Sequence, residues 1–211
     1  MGVPKKLTEM QMKLTIFNGS PIGVCNIGFE LTKEEKKHIL ELKYNNNKYG
    51  NSTLVSKDTF IFKNKKFKRI EEILFKYVNQ YKNEILGINN DLRVVHSWAT
   101  INDNTNHAPH AHRNSFISSA FYVENEGNNK LIFSVEKTIL EKCHFLHYKI
   151  KEYNWFNSET WTININKGDI VIFLSDLFHQ SINEGKKTMI GANYFLTGEM
   201  GEKEKYTYLK I

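Results

Sequence analysis

The chain has 211 residues, a net charge of +6, and 40% apolar and 13% aromatic side chains. That composition excludes a disordered polypeptide, and the length suffices for one domain burying roughly 70% of its unfolded surface. Of 29 basic residues, all but Arg69, Arg93 and Arg113 are lysine, so the residue that grips phosphate and guanine bidentately is scarce and a nucleic-acid partner is not expected.

Residues 11–30 read as extended, with Leu14, Ile16 and Phe17 leading into the turn Asn18-Gly19-Ser20-Pro21 and Ile22–Phe29 beyond it. Thr32 followed three residues later by Glu35 is a capping box, opening a short helix through Leu42. Asn45-Asn46-Asn47 ends that helix as a polar loop, and residues 53–62 read as a strand. Phe67, Ile70, Leu74, Tyr77, Val78, Tyr81 and Ile85 recur at spacings of three and four, which predicts an amphipathic helix from Lys66 to Leu86 with its aromatics in the core. Gly87 closes it.

From Arg93 onward the texture changes to short β-rich runs: Val94–Ile101, Phe116–Val123, Leu131–Ser134, Phe145–Ile150, Thr160–Ile165, Ile170–Leu174, Gln180–Asn183, Thr188–Leu196 and Tyr206–Leu209. Turn signals separate several of them, notably Glu126-Gly127-Asn128, Asn166-Lys167-Gly168-Asp169 and Asn183-Glu184-Gly185. Many short strands at this spacing predict an antiparallel sandwich or barrel. The fold class is α+β, mainly β. One domain over 1–211 is expected, with a helix-containing region 1–92 packed on the sheet and a β-rich half over 93–211. Cys25 and Cys143 form neither a disulfide framework nor a CxxC pair, as in a reducing compartment. Met1–Lys6 lacks an apolar leader and no apolar run is long enough to span a bilayer. A cytoplasmic protein without a membrane partner is expected.

Three of the eight histidines, His107, His110 and His112, fall within six residues. If the segment is a strand, His110 and His112 project from one face and make half of a transition-metal site. Asn, Asp and Pro crowd the same segment, which equally fits a solvated polar turn with His107 as a loop residue. His179 stands alone just past the Ile170–Leu174 run. Joined to the pair, it completes a three-ligand set from two strands on opposite sides of a closed sheet, with coordination positions left open. Lys187, Met189, Gly191 and Asn193 share one face of the next run, a row suited to a pocket for an anion. Two lysines in water beside a turn are the plainer account of Lys186 and Lys187.

Ser97-Trp98-Ala99-Thr100-Ile101-Asn102, His110-Ala111-His112-Arg113-Asn114-Ser115-Phe116-Ile117-Ser118-Ser119-Ala120-Phe121-Tyr122, Gly168–Phe173 and then His179 together resemble a 2-oxoglutarate/Fe(II) oxygenase family of marine bacteria and their phages. The likeness runs in order over about residues 50–197. It implies a double-stranded β-helix (a jelly-roll, cupin-like barrel) with supporting N-terminal helices. It also implies Fe(II) held by His110, His112 and His179, with His112 where the wider superfamily has Asp or Glu. Three histidines would hold iron less tightly than two and a carboxylate; the nearby Asp103 does not fit the spacing. The superfamily's Arg for the far carboxylate of 2-oxoglutarate is missing, so the resemblance implies Lys187 in that role, as a point charge without the bidentate fork. Asn193, Tyr122 and Ser118 become pocket-lining donors, and Asn102 reaches the co-substrate from the preceding strand. The implied reaction decarboxylates 2-oxoglutarate and hydroxylates a C–H bond of a small-molecule or peptide substrate, in the host cytoplasm if the gene is a phage's. A three-histidine dioxygenase that does not use 2-oxoglutarate and a non-catalytic binding barrel are the alternatives.

Overall fold

The structure is a computed structural model that describes residues 12–46, 53–143 and 149–211. The readings of Met1–Lys6, of Asn47 and of most of Phe145–Ile150 lie outside the described residues.

Strands β1 (Lys13–Phe17) and β2 (Ser20–Asn26) pair across Asn18-Gly19, both at positive φ (49° and 86°). Asn-Gly is the pair that adopts this turn at least cost, and its twist matches that of the strands. Helix α1 (Lys33–Glu41) opens with the expected capping box: the Thr32 hydroxyl accepts from the Glu35 N–H and the Glu35 carboxylate accepts from the Thr32 N–H. Arg69 then donates to Glu35 Oε1 at 2.8 Å, tying α1 to the next helix.

Two expectations fail in the following stretch. Asn45 and Asn46 do not end the helix as a loop but belong to a strand, β3 (Tyr44–Asn46), which pairs with β4 (Leu54–Ser56). The strand expected over 53–62 stops at Ser56, and Ile61–Lys63 and Lys65–Phe67 form tight 3₁₀ turns. Ile61 and Phe62 are adjacent and both buried (0% and 7% exposed). An extended chain would send them to opposite faces, whereas a helical turn lets both enter the core. The amphipathic helix follows as α2 (Lys68–Gln80), widening into a π-type turn over Tyr81–Ile85 and ending at Gly87 with φ 64°.

The rest of the chain comprises β5 (Asp91–Asp103), β6 (His107–His110), β7 (Ile117–Asn125), β8 (Lys130–Ser134), a short helix α3 (Ile139–Cys143), β9 (Thr160–Asn164), β10 (Asp169–Leu174), β11 (Phe178–Ile182), β12 (Lys186–Thr197), β13 (Glu199–Met200) and β14 (Leu209–Lys210). The run expected at Tyr206–Leu209 shrinks to the two-residue β14, paired with β13.

Eight strands form a large sheet in the order β1-β2-β10-β7-β12-β5-β4-β3, and four form a smaller one, β6-β11-β8-β9. Every pairing between them is antiparallel. Tyr122, Val171 and Phe173 from the large sheet meet Leu131 and Phe133 from the small one in an inner core. Phe121, Ile172, Ile190 and Tyr194, on the opposite face of the large sheet, pack against Ile70, Leu74 and Val78 of α2 in an outer core. The central strands are thus covered on both sides, which is why Ile170–Phe173 reads as an unbroken apolar run and not as an alternation. Each such fully buried side chain is worth about 1.5–3 kcal/mol of transfer free energy. Helices α1 and α2 pack on the outer face of the large sheet, and β1–β2 and β3–β4 extend that sheet at its two flanks. Among the described residues no helix is long and apolar enough to cross a membrane.

Candidate metal centre

The site lies where the two sheets meet, at one end of the sandwich. His110 ends β6 and His179 is the second residue of the neighbouring β11, directly opposite in register. Antiparallel partners face the same side, so the two rings come together at 4.4 Å between centroids. The expectation of ligands from opposite sides of a closed sheet is therefore corrected for this pair: they face each other across neighbouring strands of one sheet. His112 lies past the end of β6, where the chain turns toward β7. Its backbone N–H donates to the Ser175 carbonyl at 2.8 Å, and Ser115 Oγ donates to its carbonyl at 3.1 Å. The convergence of His110 and His112 thus comes from a turn and not from the period of a strand.

His110 Nε2 and His112 Nε2 lie 3.2 Å apart, and one ligand nitrogen from each of the three histidines falls within 4.8 Å of the others. Their Nδ1 atoms point away from one another to fixed partners. His110 Nδ1 donates to the Ala108 carbonyl at 2.9 Å and His179 Nδ1 to the Leu177 carbonyl at 3.0 Å. His112 Nδ1 lies 2.8 Å from both Ser118 Oγ and Asn193 Oδ1. A carbonyl can only accept, so these partners place the proton on Nδ1 and leave the Nε2 lone pairs facing inward. Burial lowers the pKa of all three, His112 to about 4 with His110 adding to the effect, and His179 well below its ordinary value. They are neutral at physiological pH, the form that binds a metal without first losing a proton. Phe173 and Phe133 pack on His179 at 4.7 and 6.0 Å, and Trp98 meets His112 edge-on at 5.4 Å. Among the described residues the cluster holds no carboxylate.

A cavity of about 190 Å³ opens beside the histidines, bordered among others by Trp98, Asn102, Tyr122, Ser181, Lys187 and Met189. Lys187 is 4% exposed, donates to Ser181 Oγ, and holds Nζ 5.5 Å from the centre of the Tyr122 ring. Burial pushes its pKa down to about 7. A turn lysine in water is excluded. Asn102 borders the cavity, though its amide donates to Thr53 Oγ1 at 2.7 Å. Ser118 and Asn193 are not among the residues that border it, and Ser118 Oγ and Asn193 Oδ1 are engaged with His112. His107, read from sequence as a loop residue, instead opens β6, stacks edge-on against His110 at 4.3 Å and borders the cavity.

Sequence reasoning also passed over Ser175, Ser181 and the placement of Trp98. For Trp98 a signal existed: its strand partner is Gly191, where an added Cβ would lie 2.4 Å from the indole. A glycine in mid-strand marks a close approach from above.

The profile of a family described as "Putative 2OG-Fe(II) oxygenase" matches residues 96–190. A 2OG-Fe(II) oxygenase family oxidoreductase from Burkholderia pseudomallei superposes with a TM-score of 0.57 at 6% identity, covering 82% of this chain and 84% of that one. The fold is that of the 2-oxoglutarate/Fe(II) oxygenases. The non-haem α-ketoglutarate-dependent epimerase SnoN of nogalamycin biosynthesis gives 0.55 at 10% identity, over 82% of this chain and 78% of its own. HygX from Streptomyces hygroscopicus, solved with nickel, 2-oxoglutarate and hygromycin B, gives 0.54 at 9% identity, over 82% of each chain. At these identities the likeness to the oxygenases is one of fold, the double-stranded β-helix. No curated protein sequence matches the chain. The oxygenase profile begins at His96 in β5 and ends at Ile190 in β12, so it contains all three clustered histidines and Lys187.

Proposed function

We propose that this protein is a non-haem Fe(II), 2-oxoglutarate-dependent oxygenase acting on a small-molecule or peptide substrate. The observation that carries the reading is a convergence of three neutral imidazoles beside a cavity that also buries a lysine. Burying an ammonium is costly, and a lysine without structural benefit would be replaced by an apolar residue; an anionic ligand in the cavity gives it a purpose. The oxygenase profile over residues 96–190 and the neighbours with bound 2-oxoglutarate support the same reading.

The donor set fits a divalent first-row metal. Imidazole nitrogen suits iron, nickel, copper and zinc, and three donors leave positions open for a ligand. His110, His112 and His179 would hold the ion through Nε2. Fe(II) with 2-oxoglutarate supplies the oxidising power, using O₂ to hydroxylate a C–H bond as the co-substrate loses CO₂. The chain's own task is positioning. Lys187 meets the far carboxylate of the co-substrate with Ser181 beside it, while Asn102 and Tyr122 shape that end of the cavity. Phe133 and Phe173 shield the metal side from water.

Anaerobic addition of Fe(II) and then 2-oxoglutarate, followed by visible absorption, tests this. A weak charge-transfer band should appear only with both present, vanish in His179→Ala, and need more 2-oxoglutarate in Lys187→Ala. No band with the wild-type protein would sink the reading. The absence of a carboxylate from the cluster favours one rival, a three-histidine dioxygenase without 2-oxoglutarate. That rival would bind Fe(II), ignore 2-oxoglutarate, and turn over its substrate undiminished as Lys187→Ala.

A further inference from the structure

We propose that Asn193 is a positioning residue of the metal centre, acting through His112 and not through the co-substrate; this rests on the metal-binding reading above. The three imidazoles are held in two different ways. His110 and His179 each donate to the carbonyl two residues earlier, a main-chain partner that no substitution removes. His112, outside the regular strands, depends on side chains. Asn193 Oδ1 lies 2.8 Å from its Nδ1 and accepts a 2.8 Å hydrogen bond from Ser118 Oγ. Ser118 Oγ is in turn 2.8 Å from Ser175 Oγ, and the Ser175 carbonyl accepts the His112 backbone N–H. One cluster therefore fixes both the ring and the backbone of His112.

The orientation of the Asn193 amide decides what His112 can do. With Oδ1 toward the ring, Nδ1 carries the proton and Nε2, 3.2 Å from that of His110, offers its lone pair. With the amide reversed, its NH₂ would donate to Nδ1, the proton would move to Nε2, and the ring could not ligate. Ser118 is what holds Oδ1 in place: its hydroxyl donates to that oxygen.

Ser118, Ser175 and Asn193 are 0%, 1% and 6% exposed. Polar side chains buried and joined by hydrogen bonds through Ser118 Oγ, Ser175 Oγ and Asn193 Oδ1 add little net stability over apolar ones of like shape, but they favour one arrangement. The two of them that touch His112 do not border the cavity, which leaves orientation of the imidazole as their contribution. Groups that orient a ligating histidine from behind typically govern metal affinity by 10–100-fold.

Co(II) titration of the full chain, read from the visible ligand-field bands, is the test, with apo unfolding midpoints alongside. Asn193→Leu should weaken Co(II) binding by about 10–100-fold and shift the bands, because the ring loses its fixed tautomer. Asn193→Asp, which presents an acceptor whichever way it turns, should restore both affinity and spectrum. Ser118→Ala should weaken binding several-fold. A wild-type protein that binds no Co(II) would sink the metal-binding reading itself. Wild-type binding with unchanged affinity and bands in folded Asn193→Leu would instead overturn the positioning role alone. Should Asn193→Leu not fold, unchanged binding in Ser118→Ala, or loss in Asn193→Asp equal to that of a ligand deletion, would overturn it equally.

Discussion

Replacing Lys187 by methionine should stabilise the metal-free protein, by an amount that falls as the pH rises. The side chain is 4% exposed, and burial lowers its pKa from the usual 10.5 to about 7. Between these two values the unfolded chain binds a proton that the folded chain does not. Wild-type stability therefore climbs through that window by about 1.4 kcal/mol per pH unit. Below pH 7 both states carry the charge, and the folded one bears the full desolvation cost, about 5 kcal/mol. Methionine keeps much of the apolar stem and has no such dependence. Its advantage over lysine should be about 4 kcal/mol at pH 7 and about 2 kcal/mol at pH 9, plus a packing difference that does not vary with pH. His107, whose pKa burial depresses to about 4 with His110 and Lys187 adding to the effect, stays neutral across that range and does not confuse the comparison. Urea unfolding of both proteins in EDTA at the two pH values measures the effect. If the gap between variant and wild type stays constant, the ammonium is solvated or paired in the folded protein, and the reasoning about the cavity fails.

A dicarboxylate seated against Lys187 should restore its charge. Binding of 2-oxoglutarate to the Ni(II)-loaded protein at pH 8 should thus take up most of a proton, and none in Lys187→Met, as read by calorimetry in buffers of different ionisation enthalpy. Ni(II) at about 100 times its dissociation constant should raise unfolding stability by about 2.7 kcal/mol, a gain absent in His179→Ala. Gly191→Ala puts a Cβ 2.4 Å from the Trp98 indole, which meets His112 edge-on, and forces that ring to shift. It should cost about 1–3 kcal/mol and weaken Ni(II) binding, and Trp98→Phe in the same chain should relieve both. Gly185 has φ 136° and a Cβ there would lie 2.0 Å from the Glu126 carbonyl oxygen. Gly185→Ala should therefore cost at least about 1–3 kcal/mol in thermal unfolding without altering the metal spectrum.

How much was legible depends on what each feature answers to. The capping box at Thr32 and the periodicity from Phe67 to Tyr81 are local, and both stand in the structure. Gly168, at φ 84° before β10, is local in the same way. The strands of the β-rich half were legible because turns punctuate them, and the alternation on β12 placed Lys187 and Met189 on the cavity face and Ile190, Ala192 and Tyr194 in the outer core. What failed depends on partners far along the chain. Ile61 and Phe62 turn because Ser97, thirty-five residues on from Phe62, accepts the backbone N–H of Phe62. His107 faces the cavity because Ser181 of β11 pairs with it, a register no local pattern states. Asn193 and Ser118 read as pocket donors because they sit on the right faces; only the course of the chain around His112 shows that the imidazole takes their polar atoms first.

The order of strands in the large sheet bears on which part of this chain can stand alone. The segment that matches the oxygenase profile runs from His96 to Ile190 and carries all three clustered histidines. Yet it cuts through β5 and β12, and both flanks of the sheet come from outside it: β2 zips onto β10, and β4 onto β5. Excised, the segment would bare the whole edge of β10 that β2 covers and the short stretch of β5 that meets β4, leaving unpaired main-chain groups that in water seek another strand. The stretch that holds the histidine cluster is thus not a portable module. A fragment meant to keep the histidine cluster would have to keep β2 and β4 as well, which hold none of its residues, for the sake of the hydrogen bonds they lend.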